Sequence, residues 1–77
     1  MNNDDLVLIR HLLPAHRELE RLVHKHGGYE ERLARMVARR WQSPSELAEM
    51  KQLKRLKLAG RDRIASILAE HRSKASA

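Results

Sequence analysis

The chain has 77 residues, with 16 Lys and Arg against 10 Asp and Glu, and no cysteine. That length allows one small domain, and the lack of cysteine excludes a disulfide framework and a thiolate metal site. A chain this short rarely builds a self-sufficient core, so self-association is the expected staple.

The net charge of +6 has the sign that attracts nucleic acid, an acidic partner or anionic lipid. Acidic residues are interspersed throughout, however, so the expected surface is a solvated helical one of mixed charge. One Trp, one Tyr and no Phe argue against a base-stacking platform.

The chain opens on the polar stretch Met1–Asp5, in which Asn3, Asp4 and Asp5 suit an N-cap or first helical turn. A short helix is expected from about Asp4 to Leu12, with Leu6, Ile9, Leu12 and Leu13 roughly on one side. Leu6–Leu13 is too short to span a membrane and contains Arg10 and His11. No basic region precedes it and no small-residue cleavage site follows, so it is not expected to be a signal peptide. A cytoplasmic protein is expected, and membrane-surface association through this stretch is disfavoured by its length. Pro14 then places a bend near Leu13–Pro14.

A long helix is expected from Pro14 to about Arg39. Its apolar positions are Leu19, Leu22, Val23, Tyr29, Leu33, Met36 and Val37. With His26 added, positions 19, 26, 33 and 40 make a seven-residue row, the spacing of a helix packed lengthwise on another. Gly27 and Gly28 interrupt it, each at about 1 kcal/mol relative to Ala. The period resumes in register at Tyr29, so a continuous but locally weak helix is expected.

Arg40–Ser45 reads as a turn. Ser43 can cap the next helix, Pro44 suits its first position, and Glu46 completes a capping box. That helix is expected to reach about Arg72, leaving Ser73–Ala77 as a frayed tail. At 1.5 Å per residue the two long helices are about 40 and 43 Å, a matched pair. Met50, Leu53, Leu56, Gly60, Ile64, Ile67 and Leu68 fall within a wedge of about 120°. Leu47, Leu58 and Ala65 lie at its margin. The stripe is wider than one helical seam requires, which implies a further helix. Gly60 either admits that helix closely or tolerates a bend.

The chain resembles the YdcH-like proteins, a family of small bacterial proteins of unknown function, from about Leu13 to Leu68. Lys25-His26, then Tyr29-Glu30 and Leu33, is similar to the family's Lys-His, spacer, Leu-Asp, aliphatic pattern. Leu53-Lys54-Arg55-Leu56-Lys57-Leu58 with Arg61-Asp62-Arg63-Ile64 resembles its Leu-Lys-Lys-x-Lys-Leu-x-Leu-Lys-Asp-x-Ile run. Tyr29 and Gly60 stand where the family usually has Leu, and Arg61 where it has Lys. The resemblance implies a helical hairpin, and no activity or cofactor.

Few residues carry chemistry. His24 and His26 are two apart and face away from each other on a helix, and His11 and His16 are separated by the bend; with His71 they offer no metal spacing. His26 is expected to pack within the apolar row. Asp62 is expected in solvent, or reaching Arg21 or Arg32. Trp41 is expected to cap the end of the helix pair, with a partner anchor as the alternative. Lys51, Lys54, Arg55 and Arg61, with Arg72, form a basic face that is the candidate anion or nucleic-acid contact. No phosphate loop, nucleophile elbow or carboxylate pair appears, so neither an enzyme nor a cofactor is expected.

The sequence therefore predicts a single all-α domain over 1–77. Its architecture is a short helix followed by an antiparallel two-helix hairpin that assembles into an oligomeric bundle, a dimer first. The expected packing interface is Leu19, Leu22, His26, Tyr29, Leu33 and Met36 on one helix and Met50, Leu53, Gly60, Ile64 and Ile67 on the other. The expected function is protein–protein interaction as an adaptor or regulator, with nucleic-acid binding as the alternative.

Overall fold

The computed structural model describes residues 2–76, and all regular structure among them is helical. Helix α1 spans Asn3–Leu12, a 3-10 turn spans Leu13–Ala15, α2 spans Arg17–Val37 and α3 spans Pro44–Ser76. Met1 and Ala77, the outer ends of the polar opening stretch and of the expected frayed tail, lie outside the described residues.

Each helix start has a local cause. Asn2 caps α1, its Oδ1 accepting from the Asp5 N–H at 2.9 Å. The Asp5 carboxylate in turn accepts from the Asn2 N–H, which completes a capping box. Asp4 and Asp5 in the first turn, with Arg10 and His11 in the last, complement the helix dipole.

The second helix begins at Arg17 rather than Pro14. Pro14 is taken up in the 3-10 turn, where its missing N–H is not needed. His16 then adopts an extended backbone and its Nδ1 accepts from the Leu19 N–H at 3.1 Å. A histidine thus performs the capping task usually given to Ser, Thr, Asn or Asp. Gly27 and Gly28 sit within the unbroken helix.

At α3, Ser43 Oγ accepts from the Glu46 N–H at 3.2 Å, and Glu46 accepts from the Ser43 N–H at 3.1 Å. Pro44 occupies the first helical position. This is the capping box signalled by Ser43-Pro44-Ser45-Glu46. The helix continues past Arg72 to Ser76.

The expected equal lengths do not hold. α2 has 21 residues and α3 has 33, and α3 alone accounts for the 51 Å long dimension. Its C-terminal part would have no neighbour if α2 were its sole cover. α1 fills that place. Ile9 and Leu12 from α1, Leu19 from α2, and Ile64 and Leu68 from α3 form one buried cluster. Leu8, Leu13, Leu22 and Val23 pack around it. Arg72 Nη2 reaches Asp5 at 2.7 Å, closing α1 onto α3.

Candidate interaction surfaces

The pairing of α2 with α3 is marked by charges. Arg63 donates to both carboxylate oxygens of Glu18, at 2.8 and 2.9 Å. Arg32 does the same to Glu49, at 2.8 and 3.3 Å. Lys57 Nζ lies 3.4 Å from Glu30, and Arg39 pairs with Glu46 beside the turn. As the α2 partner moves from 18 to 32, the α3 partner moves from 63 back to 49, so the two helices run in opposite senses.

These contacts perturb the groups that make them. The guanidinium of Arg63 holds the Glu18 carboxyl below its ordinary range, and Arg32 and Arg72 do the same for Glu49 and Asp5. Reciprocally, Glu49 and Glu18 raise Arg32 and Arg63. Glu46 is lowered first by the Ser43 N–H it accepts. Burial pushes Glu30 up, but His26 and Lys57 together outweigh it and leave the carboxyl lowered. His26 Nε2 lies 3.0 Å from Glu30 Oε1, while its buried Nδ1 has no partner among the described residues.

Successive helical residues turn about 100°, which divides the pair into two faces. On one, Leu22 and Tyr29 of α2 stand beside Leu53, Leu56 and Gly60 of α3. The bidentate pairs Glu18–Arg63 and Arg32–Glu49 bracket this face. On the other, the Glu30–Lys57 pair is followed along α3 by Lys54, Leu58 and Arg61.

The expected interface residues separate by depth. Leu19, Leu33, Met36, Ile64 and Ile67 are buried. Leu22, His26, Tyr29, Met50, Leu53 and Gly60 are only half-buried. In fact no residue is buried from Glu20 to Arg32 on α2, or from Pro44 to Arg63 on α3. The buried residues gather at the two ends, at Leu19, Ile64, Ile67 and Leu68 where α1 joins the pair and at Leu33 and Met36 beside the turn, and the stretch between them is not sealed. Leu56, within the apolar wedge, is 40% exposed. A Cβ built on Gly60 would meet nothing within 4 Å, so no helix of this chain exploits its smallness.

One expectation is overturned outright. Trp41 does not cap the helix pair; it is 73% exposed. Gln42 closes the C-terminus of α2 instead, its Nε2 donating to the carbonyls of Met36 at 2.7 Å and Arg39 at 2.9 Å. Asp62 stands exposed, the first of its two expected placements, and does not reach Arg21 or Arg32. Arg32 is engaged by Glu49, and Asp62 points outward without an ion pair among the described residues.

Lys51, Lys54, Arg55 and Arg61 are exposed or flank the seam, with no ion pair among the described residues. Arg72 differs from this set, since it is tied to Asp5. Leu58 and Leu47, beside the free cations, are exposed as well. Histidine, cysteine and carboxylate groups form no cluster suited to a metal among the described residues. No described helix is long and apolar enough to cross a membrane. Sequence reasoning missed the docking of Ile9 and Leu12 on α3; their i, i+3 spacing marks a buried stripe without naming the helix it meets. Comparison with family models, curated proteins and solved structures finds no match.

Proposed function

We propose that this chain is a small cytoplasmic protein-interaction module, a helical hairpin that self-associates as a dimer. The observation that carries the reading is the unsealed middle of the α2–α3 pair, where Leu22, Tyr29, Leu53 and Gly60 are left half-buried. Two helices alone do not close an apolar seam; four do, in the bundle geometry common to small helical proteins. The face bearing Tyr29, Leu56 and Gly60 is the proposed contact. Its rim of ion pairs resembles the polar rim around the apolar centre of a protein interface. Helices pack at 8–10 Å between axes depending on the side chains between them, and Gly60 permits the short end of that range. The resemblance to the YdcH-like proteins also points to a helical hairpin.

The test is sedimentation equilibrium of the chain beside Leu56→Glu. A carboxylate at the centre of the apolar contact leaves a buried unpaired charge in the dimer and costs the monomer little, since position 56 is exposed there. The variant is expected to sediment as a monomer with unchanged helicity. A dimer of undiminished strength would reject this face.

A second reading is nucleic-acid binding through Lys51, Lys54, Arg55 and Arg61, supported by their exposure and by the lack of acidic partners for them among the described residues. It requires an affinity for duplex DNA or RNA that falls steeply with salt, about one power of salt concentration per phosphate contacted. Absence of binding at low salt removes it.

A further inference from the structure

The second face of the α2–α3 pair differs from the first in one respect. On the first, the arginines beside the apolar residues are neutralised by Glu18 and Glu49. On the second, Lys54 and Arg61 have no such partner among the described residues, yet leucine stands between them. Leu58 is 59% exposed and shares with Lys54, Lys57 and Arg61 a shallow hollow of about 240 Å³. A larger groove of about 390 Å³ adjoins it through Lys57 and Arg61, with Leu6, Ile9, Val23 and Ile64 supplying its apolar wall. The carboxylate in that groove, Glu30, is engaged by His26 and Lys57.

We propose that this face is a docking surface for an acidic amphipathic helix of a partner protein. Leu58 and the aliphatic groove would receive its apolar side chains, and Lys54 and Arg61 its carboxylates. The run from Leu47 to Leu58 is about 16 Å at 1.5 Å per residue, the reach of three helical turns. Such a helix meets the face with apolar groups at i, i+3, i+4 and i+7 and flanks them with charge. Charge complementarity and the leucines together select this occupant. A nucleic acid would neutralise the cations and leave Leu58, Leu47 and Leu6 uncovered. Stacking of bases would call for aromatic groups, and Tyr29 lies on the opposite face. A second copy of the chain does not supply the acidic helix. Its carboxylates outside ion pairs among the described residues are scattered over α1, α2 and α3 as Asp4, Glu20, Glu31, Asp62 and Glu70.

The inference is independent of self-association, because the two faces have separate central leucines, Leu58 and Leu56. The experiment is fluorescence anisotropy of the full chain with a labelled synthetic peptide that forms a Leu/Glu amphipathic helix. Controls are a scrambled peptide of the same composition, a DNA duplex and phosphatidylglycerol vesicles. The ordered peptide is expected to bind and the scrambled one to bind at least about tenfold more weakly, a difference of about 1.4 kcal/mol. Leu58→Ser is expected to weaken binding about tenfold, and Lys54→Glu with Arg61→Glu to abolish it. Leu56→Glu is expected to retain it, so loss of the dimer and loss of this site are read separately. Circular dichroism confirms that each variant is folded. Equal binding of ordered and scrambled peptides overturns the proposal, as does binding of DNA or vesicles in place of the peptide. An unchanged affinity in Leu58→Ser also overturns it.

Discussion

Replacing glycine by alanine separates the stability of the chain from its assembly. Gly27 lies mid-helix in α2, exposed, without the positive φ that would penalise a side chain. An added Cβ there meets nothing within 4 Å. The substitution therefore costs no packing and gains the helix-propensity difference, about 0.8–1 kcal/mol. Part of that gain comes from a less flexible unfolded chain. For a domain of this size it corresponds to a Tm rise of about 4–8 °C. Gly60 meets the same conditions within one chain: no positive φ and no atom within 4 Å of the added carbon. Urea melts at concentrations low enough to hold the monomer should thus show both Gly27→Ala and Gly60→Ala stabilised by similar amounts. At high concentration the two should diverge. Gly27 faces outward on α2, whereas Gly60 lies on the face proposed to meet the second copy. Gly60→Ala should weaken the dimer while Gly27→Ala leaves it intact. A destabilised Gly27→Ala would refute the description of α2 as an unbroken, unencumbered helix. A Gly60→Ala dimer as strong as the parent would refute close approach at that position.

Other consequences are read more simply. Leu19 is fully buried in the three-helix core and Leu58 is exposed, so Leu19→Ala should lose about 2–5 kcal/mol in urea denaturation and Leu58→Ala under about 0.5. Ser43→Ala removes the cap of α3 and should cost about 1 kcal/mol, visible as a lower thermal midpoint. Stability should also fall in acid. Asp5, Glu18, Glu46 and Glu49 are lowered below their ordinary values of 3.8 for Asp and 4.5 for Glu. In that window the unfolded chain binds more protons than the folded one, so stability rises with pH there. The contribution is fully present above the ordinary carboxylate range and is lost as pH falls through the depressed folded values. Urea midpoints followed from neutral pH down through that range should decline, and midpoints that stayed flat would contradict the ion pairs as drawn.

How much of this was legible in the residues differs from element to element. The spacing of Leu19, Leu33 and Met36, and of Ile64 and Ile67, marks the buried sides of two long helices. Ser43, Pro44 and Glu46 locate the start of α3 because capping is local and each partner is within three residues. The start of α2 was less legible. Pro14 suits both a first helical position and a 3-10 turn, and the cap comes from His16, an unusual residue for it. The place of α1 could not be read at all. Ile9 and Leu12 announce an apolar side, but which helix it covers depends on α3 outrunning α2, and hence on where each helix ends. The Glu18–Arg63 and Arg32–Glu49 pairs need the register between residues 45 and 17 positions apart. Trp41 is exposed although large aromatic surface favours burial, because the turn is closed by the amide of Gln42. On the candidate surfaces, the mixture of Lys54, Leu58 and Arg61 was visible in the sequence. What the fold adds is that Arg32 and Arg63 are neutralised while those cations meet no carboxylate among the described residues.

The central claim is that the half-buried middle of the α2–α3 pair is completed by a second copy. Light scattering on the unaltered chain, across a wide dilution series at neutral pH, measures this most directly. The account predicts a mass of twice the 9.0 kDa chain at the concentrated end, falling toward a single chain on dilution. A mass of one chain throughout the series would contradict it.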